Sequence, residues 1–548
     1  MFLKIVSWNS FILLAAVIFS QPVNLSAQET VTPRPRLVVG IVIDQMKYDY
    51  LFRFEHQYTQ GGFKRLMKEG FTFHDMRYNY MPTYTGPGHA SIYTGTTPSV
   101  HGIISNDWYD KHREVSLYCT QDSSVTPVGG KAGYMSPKNL ITTTITDELR
   151  ITSNFKSKVI GIALKDRGAI LPAGHSANAA YWYDAATGNW ITSTWYMKNL
   201  PDWVKSFNSY RFAEEHLKLP WKTFFPIEQY SQSTADENAY EETFSGETKP
   251  VFPHDIPAIA KGNLGLIRYI PAGNTFTRDF ALEAIRAEDL GRDSIPDFLC
   301  VSFSTPDYIG HQFGTHSIEL QDCYVRLDRD LESLFNFLDA RVGKEQYMVF
   351  LTADHAAVPN PVFLNDNKLP GGFFNSSSLT DTLSRFLSTQ FGTGKWVMKI
   401  DNDQVFLNHR LMEQKKVDAA KMRRMTADFI LQFEPITEAV TSDDLRQNDF
   451  HKPPLSFLEN GFNSKRSGDV AFLIRPGYIE WSRKTGTTHG SPYTYDTHVP
   501  LIFSGWKIKQ GSSVRSVYIT DIAPTLSLLL GCEFPNGCTG KPLEELFK

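Results

Sequence analysis

The sequence predicts an α/β fold: a mostly parallel central sheet covered by helices on both faces, with cap insertions. Three observations predict it. Apolar, β-branched runs recur along the chain, as in strands buried on both faces. Stretches with helical spacing lie between them, and residues with ligand chemistry follow the ends of the runs.

The runs come in order. Residues 37–43 (LVVGIVI) lead straight into Asp44, and residues 159–164 (VIGIAL) lead into Lys165. Residues 298–303 precede Asp307, residues 348–351 precede Asp354 and His355, and residues 499–503 make a late strand. Residues 320–338 carry Leu327, Leu331, Leu334 and Leu338 at helical spacing. Residues 520–526 (TDIAPTL) predict an N-capped helix with proline in its first turn. Two stretches break the alternation, at about 172–274 and 359–483, and are expected to be insertions covering the functional edge of the sheet. Tyr and Trp are dense between Tyr181 and Tyr230, which suggests a surface layer of amphipathic rings. No period of about 20 to 50 residues is visible, which argues against a repeat architecture.

Bulk properties bound the partners. The chain has 548 residues, a formal net charge of −4 and a pI near 6.4, so anion recognition must be local and nucleic acid is not expected as a specific partner. Lys4, an apolar run over residues 11–19 and the small pair Ser26-Ala27 predict a signal peptide over 1–27, leaving 28–548 as one elaborated domain. The apolar run is shorter than the roughly 20 residues that span a bilayer, so no stable membrane anchor is expected and the location is periplasmic or secreted. Cys532 and Cys538 flank a turn-like segment that could close as a disulfide, while Cys300 sits in an apolar run as a buried small hydrophobe.

Six residues have metal-ligand chemistry at run ends or in glycine-rich turns: Asp44, Asp307, His311, Asp354, His355 and His489. Three oxygen and three nitrogen ligands divide into two sets of three, which suits a pair of borderline divalent ions such as zinc. Asp307 and His311 are spaced i, i+4, which places both toward one ion if a helical turn follows the strand. Thr85 lies in the tight loop TGPGH, where a sharp turn before a helix would present its hydroxyl beside N–H groups that favour phosphate. A threonine hydroxyl needs a metal to become a good nucleophile, so the set predicts two-metal phosphoryl transfer.

In order and local sequence, Asp44, the Thr85 loop, Asp307-x-x-x-His311, Asp354-His355 and Thr488-His489-Gly490 resemble the alkaline phosphatase superfamily. The likeness is to its nucleotide pyrophosphatase/phosphodiesterase-related branch. The resemblance implies two Zn2+ per chain: Asp44, Asp354 and His355 hold one together with the Thr85 oxygen, and Asp307, His311 and His489 hold the other. Asn106 matches the family asparagine whose amide contacts a phosphoryl oxygen. Lys165-Asp166-Arg167, directly after a strand, looks like the Lys-x-Arg pair of threonine-using monoesterases in that superfamily. Two such cations would favour a monoester dianion over a diester. The loop Thr85-Gly86-Pro87-Gly88-His89 lacks the Cys/Ser-x-Pro-x-Arg motif of sulfatases. The implied activity is a secreted, zinc-dependent alkaline phosphatase acting on small-molecule phosphate esters through a covalent phosphothreonine. The alternative is a phosphodiesterase or nucleotide pyrophosphatase using the same two-metal site. A noncatalytic phosphate- or glycan-binding protein fits poorly with so full a ligand set. The resemblance assigns no role to His101 or His498 and leaves the oligomeric state open.

Overall fold

All five of the expected runs form adjacent strands of one 10-stranded sheet. In chain order its strands are β1 (Leu37–Ile43), β2 (Phe71–Arg77), β3 (Pro127–Val128), β4 (Val159–Ala163) and β5 (Ala179–Asp184). The remainder are β6 (Asn189–Ser193), β7 (Asp297–Phe303), β8 (Tyr347–Thr352), β9 (His498–Gly505) and β10 (Gly511–Tyr518). Their order across the sheet is β10-β2-β9-β8-β1-β7-β4-β5-β6-β3. The computed structural model describes residues 34–547, so the leader expected over 1–27 lies outside the described residues.

The middle of the sheet, β8-β1-β7-β4-β5, is parallel throughout. Every residue of β1, β4, β7 and β8 is buried, because both faces are covered. On β4 the alternation is explicit. Ile160 and Ile162 join the core that holds Phe280 and Ala284, whereas Ala163 packs with Ala169 and Ala173. Gly161 lies so close to the helix Asp166–Ala173 that a Cβ there would stand 2.2 Å from the Ala169 carbonyl oxygen. The helix Ile318–Arg341 buries Leu327, Leu331, Leu334 and Leu338, and the Ser317 side chain caps it by accepting from the Leu320 N–H.

Several expectations need correction. β9, the expected late strand, runs antiparallel to both β8 and β2, since an apolar run carries no information on direction. Residues 179–193, expected inside the first insertion, are strands β5 and β6 of the main sheet. Their aromatic residues are core: Trp182 and Trp190 are fully buried, and Trp190 stacks on Phe280 at 4.4 Å. The helix expected over 520–526 spans Ile522–Leu530, with Asp521 as N-cap and no side-chain cap bond, because both Asp521 oxygens are taken by the N–H groups of Tyr518 and Lys541. Cys532 and Cys538, whose pairing the sequence leaves open, are free thiols.

Residues 359–483 include a separate four-stranded antiparallel sheet, with strands Val397–Asp401, Gln404–Leu407, Val470–Ile474 and Ile436–Thr441 in that spatial order. It has its own core, with Trp396, Phe472, Leu383 and Met422 buried against the helices Ser376–Phe391 and Ala419–Ile430.

Candidate active site

Strand register brings the site residues level. Val42 pairs with Thr352, Ile43 with Phe303, and Ala163 with Ser302. Asp44, Asp354, Asp307 and Lys165 therefore follow the carboxyl ends of neighbouring parallel strands, the edge where open α/β sheets gather ligands. Asp307 and His311 lie one turn apart on the helix Thr305–Phe313.

Two triads result. Asp44, Asp354 and His355 form one, and Asp307, His311 and His489 the other, with the ligand atoms of each within 4.8 Å of one another. The His355 and His489 rings stack at 3.5 Å, so the triads abut. Each imidazole is oriented the same way. Nδ1 of His311, His355 and His489 faces the carbonyl of Thr487 (2.8 Å), Ala356 (3.0 Å) and Thr83 (2.7 Å) respectively. A carbonyl can only accept, so the ring proton is held on Nδ1 and Nε2 is left as the lone-pair donor. The Nε2 atoms face carboxylates, His311 at 3.1 Å from Asp307 and His355 at 3.5 Å from Asp44.

The donor set fits divalent cations. Asp44 Oδ1, Asp354 Oδ2 and His355 Nε2 are buried and have no hydrogen-bond partner among the described residues. Leaving such atoms uncompensated costs about 1–3 kcal/mol each or more. Nitrogen and carboxylate oxygen in threes match the ligand preference of zinc with an open position. Burial, reinforced by Asp307 and opposed by Lys165, pushes the Asp44 carboxyl up to about 6. Burial and Asp44 push Asp354 well above the usual carboxylate range. Burial also acts to raise Asp307, but His311 and Lys165 outweigh it and hold that carboxyl well below its ordinary value. His489 is lowered to about 4 by burial, and burial with the neighbouring His489 lowers His355 further, so both rings are neutral and able to ligate.

Thr85 opens the helix Thr85–Thr94, preceded by Tyr84 in extended conformation. Its Oγ1 accepts from Arg167 Nη2 at 3.3 Å and from Lys165 Nζ at 3.5 Å. The Lys165 ammonium also binds Asp44 at 2.7 Å and Asp307, one carboxylate from each triad. Asn106 Oδ1 accepts from the Gly86 N–H at 2.8 Å, which fixes the amide beside the start of the helix and keeps its NH2 group as a donor. Gly88 allows the helix to approach the triad of Asp44, Asp354 and His355, since a Cβ there would lie 2.2 Å from the Asp354 carbonyl oxygen.

The structure thus gathers all ten sequence-derived residues, and adds others. Gln45 joins the triads, its N–H donating to Asp354 at 3.1 Å and its Nε2 to Asp307 at 2.7 Å, from a backbone with φ of +66°. Tyr118 positions Arg167, accepting from it at 3.1 Å and donating to Asp166 at 2.8 Å. His89 spans from the Thr85 carbonyl to Ser302 Oγ, 2.9 Å each. Adjacency to Asp44 was the only signal for Gln45. Nothing distinguishes Tyr118 among many tyrosines. His101 and His498 lie outside this cluster, bonded to Ser91 Oγ and to the His74 carbonyl.

Comparison with known proteins places the chain. Residues 38–498 match the family profile of type I phosphodiesterase / nucleotide pyrophosphatase. The chain is 45% identical over 517 residues to alkaline phosphatase PhoV of Synechococcus elongatus, covering 94% of this chain and 93% of that protein. It is 42% identical over 527 residues to alkaline phosphatase PafA of Elizabethkingia meningoseptica, covering 95% and 96%. A protein of Myroides odoratus named calcium-transporting ATPase is 46% identical over 518 residues, covering 93% and 94%. A crystal structure of wild-type PafA superposes with a TM-score of 0.92 at 42% identity, covering 94% of this chain and 99% of that one. Matched along nearly its whole length, the chain belongs to the type I phosphodiesterase / nucleotide pyrophosphatase family of the alkaline phosphatase superfamily and is similar to the PafA-type alkaline phosphatases within it.

Proposed function

We propose that the protein is a zinc-dependent alkaline phosphatase that hydrolyses small phosphate monoesters through a phosphothreonine on Thr85. The observation that carries this reading is the convergence of Lys165 and Arg167 on Thr85 Oγ1 between two ligand triads. Asp44, Asp354 and His355 would hold one divalent ion, and Asp307, His311 and His489 a second; such ions supply Lewis-acid charge and favour the ionised form of a hydroxyl.

The chain's own residues do the rest. The Thr85 hydroxyl gives up its proton to solvent and attacks phosphorus. The bond to the ester oxygen breaks, and the alcohol leaves after taking a proton from water. Water then attacks the phosphothreonine and frees phosphate, which regenerates the hydroxyl. Arg167, Lys165 and the Asn106 amide donate to the nonbridging oxygens, where a monoester dianion carries more charge than a diester. The family's name makes phosphodiester hydrolysis the second reading.

Residues 1–27 are proposed to direct export to the periplasm or medium. Among the described residues no helix is long and apolar enough to cross a membrane. Residues 359–483 are proposed as a cap, because Phe373, Asp403 and Glu480 from this segment share a cavity with Tyr84 and His489.

Thr85→Ala tests the nucleophile. Turnover of p-nitrophenyl phosphate should fall by about three orders of magnitude or more with zinc content retained. Substantial residual turnover would rule Thr85 out.

A further inference from the structure

A cavity of about 650 Å³ opens beside His489 and beside Tyr84, the residue before Thr85. An alcohol esterified to a phosphate held at Thr85 has this cavity as its neighbour. Its walls are acidic: Asp401, Asp403, Glu480 and Asp496 line it, and among the described residues no Lys or Arg does. Asp401 is compensated by Lys399 at 2.6 Å. Lys47 acts on Asp496 from a distance, but among the described residues no Lys or Arg forms an ion pair with Asp403 or Glu480. Among the described residues, the Asp403 carboxylate has no hydrogen bond or ion pair. The Asp496 side chain is 1% exposed, and while its Oδ2 accepts from Ser491, its Oδ1 is buried without a hydrogen-bond partner.

This clustering is costly to the fold. Burial, then Glu480, Asp401 and Asp496, push the Asp403 carboxyl up to about 8, and burial pushes Asp496 up to about 7. A cation among these groups would relieve the repulsion. A single metal ion does not suit them: among the described residues the only groups of three metal-ligating side chains within 4.8 Å are the two triads. A larger, diffuse cation suits the volume, and the rings of Tyr84 and Tyr478 in the wall add surfaces that favour an ammonium. An anionic leaving group would be repelled.

We infer that this cavity is a leaving-group subsite selecting phosphate monoesters whose alcohol carries an ammonium group, with Asp403 and Glu480 as the selecting residues. The inference rests on the phosphatase reading.

The test compares kcat/KM for phosphocholine and for 3,3-dimethylbutyl phosphate, its uncharged isostere, with p-nitrophenyl phosphate as reference. Wild-type enzyme should prefer phosphocholine by about fivefold, the effect of one compensated charge. Asp403→Asn with Glu480→Gln should bring that ratio close to one while leaving the isostere within about twofold. Asn is compatible with the φ of +55° at position 403. A wild-type ratio of one or less, or a preference that survives both substitutions, overturns the subsite. The wild-type comparison decides the matter even if the variant does not fold. Turnover of the aryl phosphate without ammonium preference counts against the subsite alone, whereas failure on all three esters overturns the phosphatase reading and the subsite with it.

Discussion

Lys165 is where the charges of the site meet, touching Asp44, Asp307 and Thr85 from a buried position. Burial acts to lower its pKa, but Asp307 and Asp44 raise it further, so the ammonium stays charged. Arg167, held by Tyr118, brings the second cation to the same hydroxyl. Replacing both with Ala should lower kcat/KM for an aryl monophosphate by about two to three orders of magnitude and for an aryl alkyl diester by about tenfold or less. Steady-state kinetics on the two esters checks this, and equal losses would remove the pair from substrate discrimination. The six ligands were legible because each follows an apolar run or sits in a glycine-rich turn. Gln45 was not, because what makes it a bridge is a left-handed backbone conformation that sequence does not announce.

At the scale of elements, the helix Thr85–Thr94 and the end of β8 fit only because position 88 has no side chain. A Cβ at Gly88 would meet the Asp354 carbonyl oxygen at 2.2 Å and Asp354 Cβ at 2.8 Å, whereas one at Gly86 meets nothing nearer than 3.2 Å. Gly88→Ala should therefore displace Asp354 and weaken zinc binding by about 10- to 100-fold, with Gly86→Ala distinctly milder. Zinc titration against a competing chelator measures both, and wild-type affinity in Gly88→Ala would contradict the packing. Four of the five central parallel strands were legible as apolar runs, and the fifth, β5, was missed. β5 and β6 read as an insertion because Trp and Tyr are equally at home on a surface, and only the partner surface around Phe276 and Phe280 makes them core. β2 and β10 escaped notice because each carries polar residues along its length and neither is buried throughout.

Across the whole molecule, burial of carboxylates sets a pH dependence. Burial, only partly offset by Arg278, pushes Asp330 up to about 7, against about 3.9 in an unfolded chain. Between those values the native state holds a proton that the unfolded chain releases, so this group's contribution to stability falls as pH rises through the window. Asp330→Asn removes the titration and should gain melting temperature relative to wild type between pH 4.5 and about pH 7.5. Calorimetry at the two pH values checks it, and a pH-independent difference would contradict the assignment.

The central claim is that residues far apart in sequence form two metal sites flanking one hydroxyl. Elemental analysis of zinc per chain, followed alongside p-nitrophenyl phosphate turnover through chelation and reloading, tests it most directly. The account predicts two equivalents, with turnover abolished on their removal and restored on their return. Full activity in protein stripped of metal, or saturation at one equivalent, would contradict it.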